Sequence, residues 1–182
     1  MLMDTPLCDF GIAAPDFDLA TPTGARYTRD ALMGENGLLV AFICNHCPYV
    51  VAQIDRLVAD AKALQLAGIG VAFIMSNDYV AYPADTPDLM AVFAQKHGFT
   101  APYLIDEDQS VARAYGAVCT PDFLGYDATG GLQYRGRLDN LGLRGGQAGR
   151  IPELLNAMRQ VAKTGQTSLP QSVAMGCSIK WR

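Results

Sequence analysis

The sequence predicts an α/β protein: a central mixed sheet with helices on both faces and an N-terminal β extension. Three observations predict it. Two continuous apolar runs, GLLVAFI at 37–43 and IGVAFIM at 69–75, have the length and composition of strands buried on both faces. Between them Val50, Ile54, Leu57, Val58, Ala61 and Leu64 recur at three- and four-residue spacing, which is one face of a helix. A strand–helix–strand unit of this kind implies a parallel pair. Downstream, DFLGYD and LQYRG flank Ala-Thr-Gly-Gly, the pattern of an antiparallel hairpin.

The remaining elements follow in order. PDFDL and the segment TPTGARYT read as two short strands around a Thr-Pro-Thr-Gly turn. The long helix begins near Pro48, runs to about Ala67 and stops at Gly68. SNDYVAYPADTP, residues 76–87, is a loop rich in turn residues. Asn77 and Asp78 open it at the C-terminal end of a strand, where α/β folds often bind ligands. A helix is expected from Asp88 to His97, ended by Gly98, and His97 suits the dipole there. APYLI is a short strand and Gln109 to Tyr115 a short helix, capped by the acidic turn Asp106, Glu107 and Asp108. Pro152 takes the first position of a last helix, with Leu154, Leu155, Met158 and Val161 on its apolar face and Gly165 at its stop. The first ten residues read as loosely held, and 166–182 show no period. One domain is expected, with its core at about 10–165 and a C-terminal tail at 166–182.

The chain has 182 residues, 50% hydrophobic and 18% charged, enough to bury a sizeable core. Its net charge of −4, without a basic run, argues against nucleic-acid partners and anionic membranes. No apolar stretch approaches the roughly 18 residues of a membrane span. MLMDTPLCDFG lacks the basic and apolar regions of a secretory leader. A cytoplasmic protein is expected.

Five cysteines are present: Cys8, Cys44, Cys47, Cys119 and Cys177. An odd count with one close pair does not make a disulfide scaffold. It points to catalytic or metal-binding thiols. A four-cysteine zinc site needs a second close pair, so no metal and no cofactor are expected. Cys44 and Cys47, in FICNHCPYV, lie where the first buried run gives way to the helix. Two sulfurs at that spacing can close a small disulfide ring. Free N–H groups at the helix N-terminus favour a thiolate. His46 between them adds a positive charge that stabilises the reduced form and makes the pair a stronger oxidant. Pro48 leaves two registers open. A helix starting there makes Cys47 the N-cap; one starting near Asn45 puts Cys44 at the helix end and Pro48 inside it. Cys8 reads as incidental. GLRGGQAGR, 142–150, lacks the Gly-Lys-Ser/Thr ending of a phosphate loop and reads as a flexible surface loop. Arg137 and Asp139 are expected to pair or to turn the chain.

The segments GIAAPDFDL, FICNHCPYV, AYGAVCTPDFLGYD, YRGRLDN and GCSIKW run from Gly11 to Trp181. Together they resemble thioredoxin-fold proteins of the alkyl hydroperoxide reductase/thiol-specific antioxidant group, in its peroxiredoxin-like branch. The resemblance implies a thioredoxin-like fold with an N-terminal extension, thiol redox activity, and a cis Pro121 after Thr120 that faces the dithiol loop. Cys47 matches the peroxide-reactive cysteine of that branch, also followed by proline, while Cys44 stands where a threonine or serine is usual. No arginine in AYGAVCTPDF matches the branch's catalytic arginine. Leu38 replaces the buried acid of thioredoxins, which accepts a proton, and Ile43 replaces their tryptophan.

The leading expectation is a thiol–disulfide oxidoreductase. By thioredoxin analogy Cys44 attacks, Cys47 resolves, His46 tunes the poise, and Thr120 with Pro121 shapes the groove. The alternatives are a thiol peroxidase with Cys47 as the reactive cysteine, or a non-enzymatic redox sensor. Cys119 and Cys177 are candidate resolving thiols. The expected partners are a protein disulfide or a peroxide, and a thiol reductant such as a thioredoxin system.

Overall fold

The structure is a computed structural model that describes residues 1–5 and 9–182; Cys8 lies outside the described residues. The strands are β1 (Leu2–Asp4), β2 (Asp18–Ala20), β3 (Arg26–Thr28), β4 (Gly37–Phe42), β5 (Ile69–Met75), β6 (Tyr103–Ile105), β7 (Cys119–Thr120), β8 (Asp122–Tyr126), β9 (Leu132–Gly136) and β10 (Met175–Ser178). The helices are α1 (Arg29–Leu32), α2 (Pro48–Leu66), α3 (Pro87–His97), α4 (Ser110–Ala114) and α5 (Glu153–Thr164), with a 3₁₀ turn at Pro83–Asp85.

Seven strands form the main sheet in the order β3-β2-β6-β5-β4-β8-β9. The pairs β4–β5 and β5–β6 are parallel and the others antiparallel. The sheet is therefore mixed, with the predicted strand–helix–strand unit at its centre. Alternate residues of β4 feed two cores. Leu39, Ala41 and Ile43 pack with Ile54, Leu57 and Leu64 of α2 and with Leu154, Met158 and Val161 of α5. Leu38, Val40 and Phe42 pack on the other face with Val111, Ala112 and Tyr115. Burial on both faces explains why the run is uninterrupted rather than alternating.

Gly98 and Gly165 take left-handed conformations at the ends of α3 and α5, as helix stops require. Asp106 accepts hydrogen bonds from the N–H groups of Val111 (3.1 Å) and Ala112 (2.8 Å), the expected cap of α4. Pro152 is one residue off its predicted place: it is the N-cap of α5 rather than its first residue.

Three expectations are corrected. The first residues and the tail are not loose. β1 pairs with β10, and β10 pairs with β7, in a second, antiparallel sheet. Strands of two to four residues carry no period, and their pairing partners are at opposite ends of the chain, so sequence pattern could not expose them. Beyond β10 the tail is pinned by Gln109, whose Nε2 donates to the Ser76 and Lys180 carbonyls, both at 2.8 Å. The glycine-rich loop is tethered as well as exposed. Arg56 donates to Asp139 Oδ2 (2.8 Å) and to the Gly142 (2.8 Å) and Arg144 (3.0 Å) carbonyls, and Arg150 joins Asp139 (2.7 Å) to Asp60. Of the two roles expected for Arg137 and Asp139, the mutual pair is replaced by Arg137–Glu153 at 2.6 Å, while Asp139 does turn the chain, accepting from the N–H groups of Leu141 (3.0 Å) and Gly142 (3.3 Å).

Gly176 is what lets β10 close on β7. A Cβ there would stand 2.1 Å from the Thr120 carbonyl oxygen, a backbone atom that cannot move aside cheaply. Gly176→Ala is expected to lift β10 from β7, at about 1–3 kcal/mol of stability. A lower urea midpoint and faster alkylation of Cys177 would both report it.

Candidate active site: a dithiol against the Thr120–Pro121 loop

β4 delivers Cys44 at its C-terminal end, and the loop Cys44–Cys47 turns the chain into α2. The helix begins at Pro48, so Cys47 is the N-cap and the register left open by the sequence is decided. Both sulfurs are buried, at 1% exposure for Cys44 and 0% for Cys47. They belong to the core on the α2 face.

Across from them is the predicted turn, with the Thr120–Pro121 peptide in the cis form. Cys44 Sγ lies 3.4 Å from Thr120 Oγ1, and the Cys47 thiol reaches the Thr120 carbonyl oxygen at 3.1 Å. One residue thus touches both sulfurs. Cys177 pairs with Thr120 in the β7–β10 register. That puts it beside Cys47 without any swing of the tail, and it is only partly buried.

The two thiols of the pair differ in character. Cys47 is drawn well below the ordinary thiol range, first because the Cys44 thiol donates to it, against a cost from burial. No strict cap hydrogen bond closes on its side chain. The N–H groups of Cys177 and Val50 act on the sulfur as oriented dipoles, and the Cys177 thiol adds to them. The Thr120 carbonyl opposes the anion but is outnumbered by these donors. Cys44 is pushed up by the hydrogen bond to Cys47, by burial and by the Asp85 carboxylate. Cys47 is therefore the more acidic sulfur of the pair and Cys44 the less acidic. Cys177 is raised by burial and by Cys47. Cys119 is fully buried, its thiol 3.8 Å from the Pro121 carbonyl, and burial pushes it up to about 12.

His46 is about one third exposed and stacks on Tyr82, with ring centroids 6.2 Å apart and planes 4° from parallel. Its Nδ1 is 2.7 Å from Asp85 Oδ2, at an angle that closes no hydrogen bond. Asp85 is fully buried in the 3₁₀ turn. The N–H of Asn45 donates to its Oδ1 and Asn77 Nδ2 to its Oδ2, both at 2.8 Å. The Tyr103 hydroxyl donates to Asn45 Oδ1 at 3.1 Å.

Sequence reasoning brought together Cys44, His46, Cys47, Thr120 and Pro121, and it singled out Asn77. It missed Asp85, Asn45 and Tyr103. Asp85 was within reach as one of two acids, with Asp78, in the loop that follows β5, the strand next to β4. His97, by contrast, pairs with Asp55 at 2.9 Å, away from the dithiol.

Residues 10–138 match the AhpC/TSA family. The chain belongs to the AhpC/TSA family. It is similar to two solved chains of nearly equal length. A hypothetical protein from Sinorhizobium meliloti 1021 is 36% identical, covers 98% of each chain and superposes with a TM-score of 0.90. An uncharacterized conserved protein from Geobacillus kaustophilus is 34% identical, covers 100% of this chain and 97% of its own, with a TM-score of 0.92. A secreted Mycobacterium tuberculosis disulfide oxidoreductase is 21% identical over 64% of this chain and 80% of its own, with a TM-score of 0.55. That likeness places this AhpC/TSA member in the thioredoxin-like fold. No curated protein matches the chain.

The charge division has a signature in stability. Cys47 ionises more readily folded than unfolded, so its contribution is full above the unfolded thiol value of about 8.5 and is lost as pH falls through its lower folded value. Cys44 acts in the opposite sense: its contribution is full below about 8.5 and fades as pH rises further. Fully reduced protein is therefore expected to gain urea stability over Cys47→Ser between about pH 6 and pH 8.5. Parallel urea midpoints of the two proteins across that range would contradict the division.

Proposed function

We propose that this protein is a thiol–disulfide oxidoreductase whose working group is the Cys44–Cys47 dithiol. The observation that supports it most is that both sulfurs meet the backbone and side chain of Thr120, directly before the cis proline. The thioredoxin-like fold shared with a known disulfide oxidoreductase is consistent with it.

The geometry favours the reverse of the order that thioredoxin analogy suggests. Cys47 is the helix-capping thiolate, and its side of the dithiol faces Thr120 and β10. A cavity of about 360 Å³ opens beside Pro121, with Tyr49, Phe123, Val173 and Met175 in its wall. An apolar segment around a substrate disulfide fits there. The Cys47 thiolate attacks one substrate sulfur, a mixed disulfide forms, and the other substrate sulfur leaves as a thiolate that takes a proton from water. Cys44 then gives up its proton and attacks the Cys47 sulfur. The second substrate thiol leaves and a Cys44–Cys47 disulfide remains. The substrate gains two electrons and the dithiol loses them.

The proton on Cys44 needs an acceptor. Leu38 cannot serve, but Asp85 and His46 have ligand atoms within 4.8 Å of the Cys44 sulfur and of each other. They stand in for the missing acid from a different loop. Cys177 is the proposed exit: its thiol adjoins Cys47 and is the more accessible of the two. It can receive the disulfide from Cys44 and pass it to a thiol reductant of thioredoxin type. Among the described residues no helix is long and apolar enough to cross a membrane. The cytoplasm, which keeps thiols reduced, suits this cycle.

A second reading is supported by the position of Cys47 in the resemblance to peroxiredoxins. Its thiolate would take an oxygen from hydrogen peroxide to become a sulfenic acid, releasing water, and Cys44 would resolve it to the disulfide with loss of a second water. The nearby arginines are engaged elsewhere, Arg135 with Asp122 and Arg137 with Glu153. This leaves peroxide without the guanidinium that polarises it in that branch, so exchange is the preferred reading.

Insulin reduction with dithiothreitol as electron source tests the exchange reading, and peroxide consumption by the same proteins tests the second. Cys47→Ser is expected to abolish turnover. With Cys177 also replaced by serine, Cys44→Ser is expected to stall with substrate bound to Cys47, visible as a mass adduct on that peptide. An adduct on Cys47 absent from Cys44→Ser, but present on Cys44 in Cys47→Ser, would restore the thioredoxin order. Asp85→Asn is expected to slow resolution at least tenfold while leaving formation of the mixed disulfide nearly unchanged.

A further inference from the structure

Cys44 has a second set of neighbours besides Cys47. Its Sγ, a ring nitrogen of His46 and a carboxylate oxygen of Asp85 lie within 4.8 Å of one another. Thiolate, imidazole and carboxylate are the donor types that zinc takes, and three protein ligands leave a fourth position open. Bonds of roughly 2.0–2.3 Å put the corners of such a tetrahedron about 3.3–3.7 Å apart, so side-chain rotation alone can close this set around an ion.

Three features of the triad go beyond mere nearness. His46 Nδ1 is sealed from solvent and closes no hydrogen bond, although Asp85 Oδ2 is 2.7 Å away. The lone pair is thus not committed to a directed partner. The Asp85 carboxylate is already oriented by Asn45 N–H and Asn77 Nδ2. Asn77 is itself fixed by the Lys180 N–H, which donates to its Oδ1 at 2.9 Å. A supporting layer of this kind is what orients ligands at metal sites. Finally, the charges cancel. A thiolate and a carboxylate neutralise a divalent ion, so the filled site brings no net charge into a buried place.

We propose that Cys44, His46 and Asp85 form a binding site for a zinc-class divalent ion, and that the bound ion withholds Cys44 from disulfide formation. Binding replaces the Cys44 S–H bond with a sulfur–metal bond and releases one proton to solvent. No electron moves. The ion enters past His46, the partly exposed member of the triad. While it is bound, the Cys44 sulfur is coordinated and the proton acceptors beside it are occupied, so Cys44 cannot resolve a mixed disulfide on Cys47. The consequence rests on the dithiol reading; the site itself does not.

The test uses full-length, reduced, chelator-treated protein with Cys47 and Cys177 replaced by serine, so that neither neighbouring thiol can share the metal with Cys44. Titration with zinc chloride is expected to show one zinc per chain with about one proton released. Zinc is expected to slow alkylation of Cys44 at least tenfold. His46→Ala and Asp85→Asn should each weaken binding by a hundredfold or more, and Asn77→Ala by about 10–100-fold. Far-UV circular dichroism and the zinc-free alkylation rate show whether each variant still folds. Cobalt(II) provides a second readout in the double-serine protein: a sulfur-to-metal charge-transfer band, absent when Cys44 is also serine.

Binding that His46→Ala and Asp85→Asn leave unchanged would overturn the proposal, as would binding that disappears with Cys47. In the first case the metal sits outside the triad; in the second it sits on the Cys44–Cys47 pair. Insulin reduction by wild-type protein, with and without zinc, separates the two readings. Activity without triad-dependent zinc binding sinks only the metal site. Triad-dependent binding without activity sinks only the oxidoreductase.

Discussion

Thr120 is where the active-site chemistry and the minor sheet meet. Its hydroxyl faces the Cys44 sulfur, its carbonyl faces the Cys47 sulfur, and its backbone is paired with Cys177 of β10. The same carbonyl crowds the space over Gly176. Two ends of the chain, β1 and β10, are thus assembled on the residue that also closes the dithiol pocket. The site is shielded from water by this arrangement, and a low-dielectric surround makes each donor aimed at Cys47 count for more. A displacement of β7 would loosen the minor sheet and open the sulfurs together.

The division of the proton between the two cysteines follows from where α2 begins. Proline at the first helical position needs no hydrogen-bond acceptor for its nitrogen, which makes Cys47 the boundary residue. The helix end then presents its free N–H groups to that sulfur, while Cys44 looks toward the buried carboxylate of Asp85. One face of the loop favours a negative sulfur and the other disfavours it. Under the proposed exchange, a pair made unequal in this way offers one sulfur for attack and keeps the other back to resolve.

The loop after β5 supplies what the strands lack. In place of the acid missing at Leu38, Asp85 arrives from the 3₁₀ turn and is held by Asn45 and Asn77. A carboxylate buried without partners would cost several kcal/mol; two donors and the His46 ring offset that cost. The same geometry can hold a proton or a metal ion, but not both at once. That would give the dithiol a state in which it is intact and unreactive.

Much of this was legible in the residues themselves. The unbroken runs at 37–43 and 69–75, the periodicity of α2 and the glycine stops are local patterns enforced by burial and backbone conformation, so they show without a fold. CNHC between a strand and a helix, with TP downstream, was enough to locate the sulfurs. What the sequence could not determine were the pairings between residues far apart in the chain. β1 with β10, Cys177 beside Cys47 and Asp85 beside Cys44 depend on how the sheet brings distant segments together, and each involves too few residues to leave a period. The helix start was also undecided, because Pro48 is compatible with either register. Only the tertiary structure, by packing α2 against β4 and the cis-prolyl turn, determined which sulfur caps the helix.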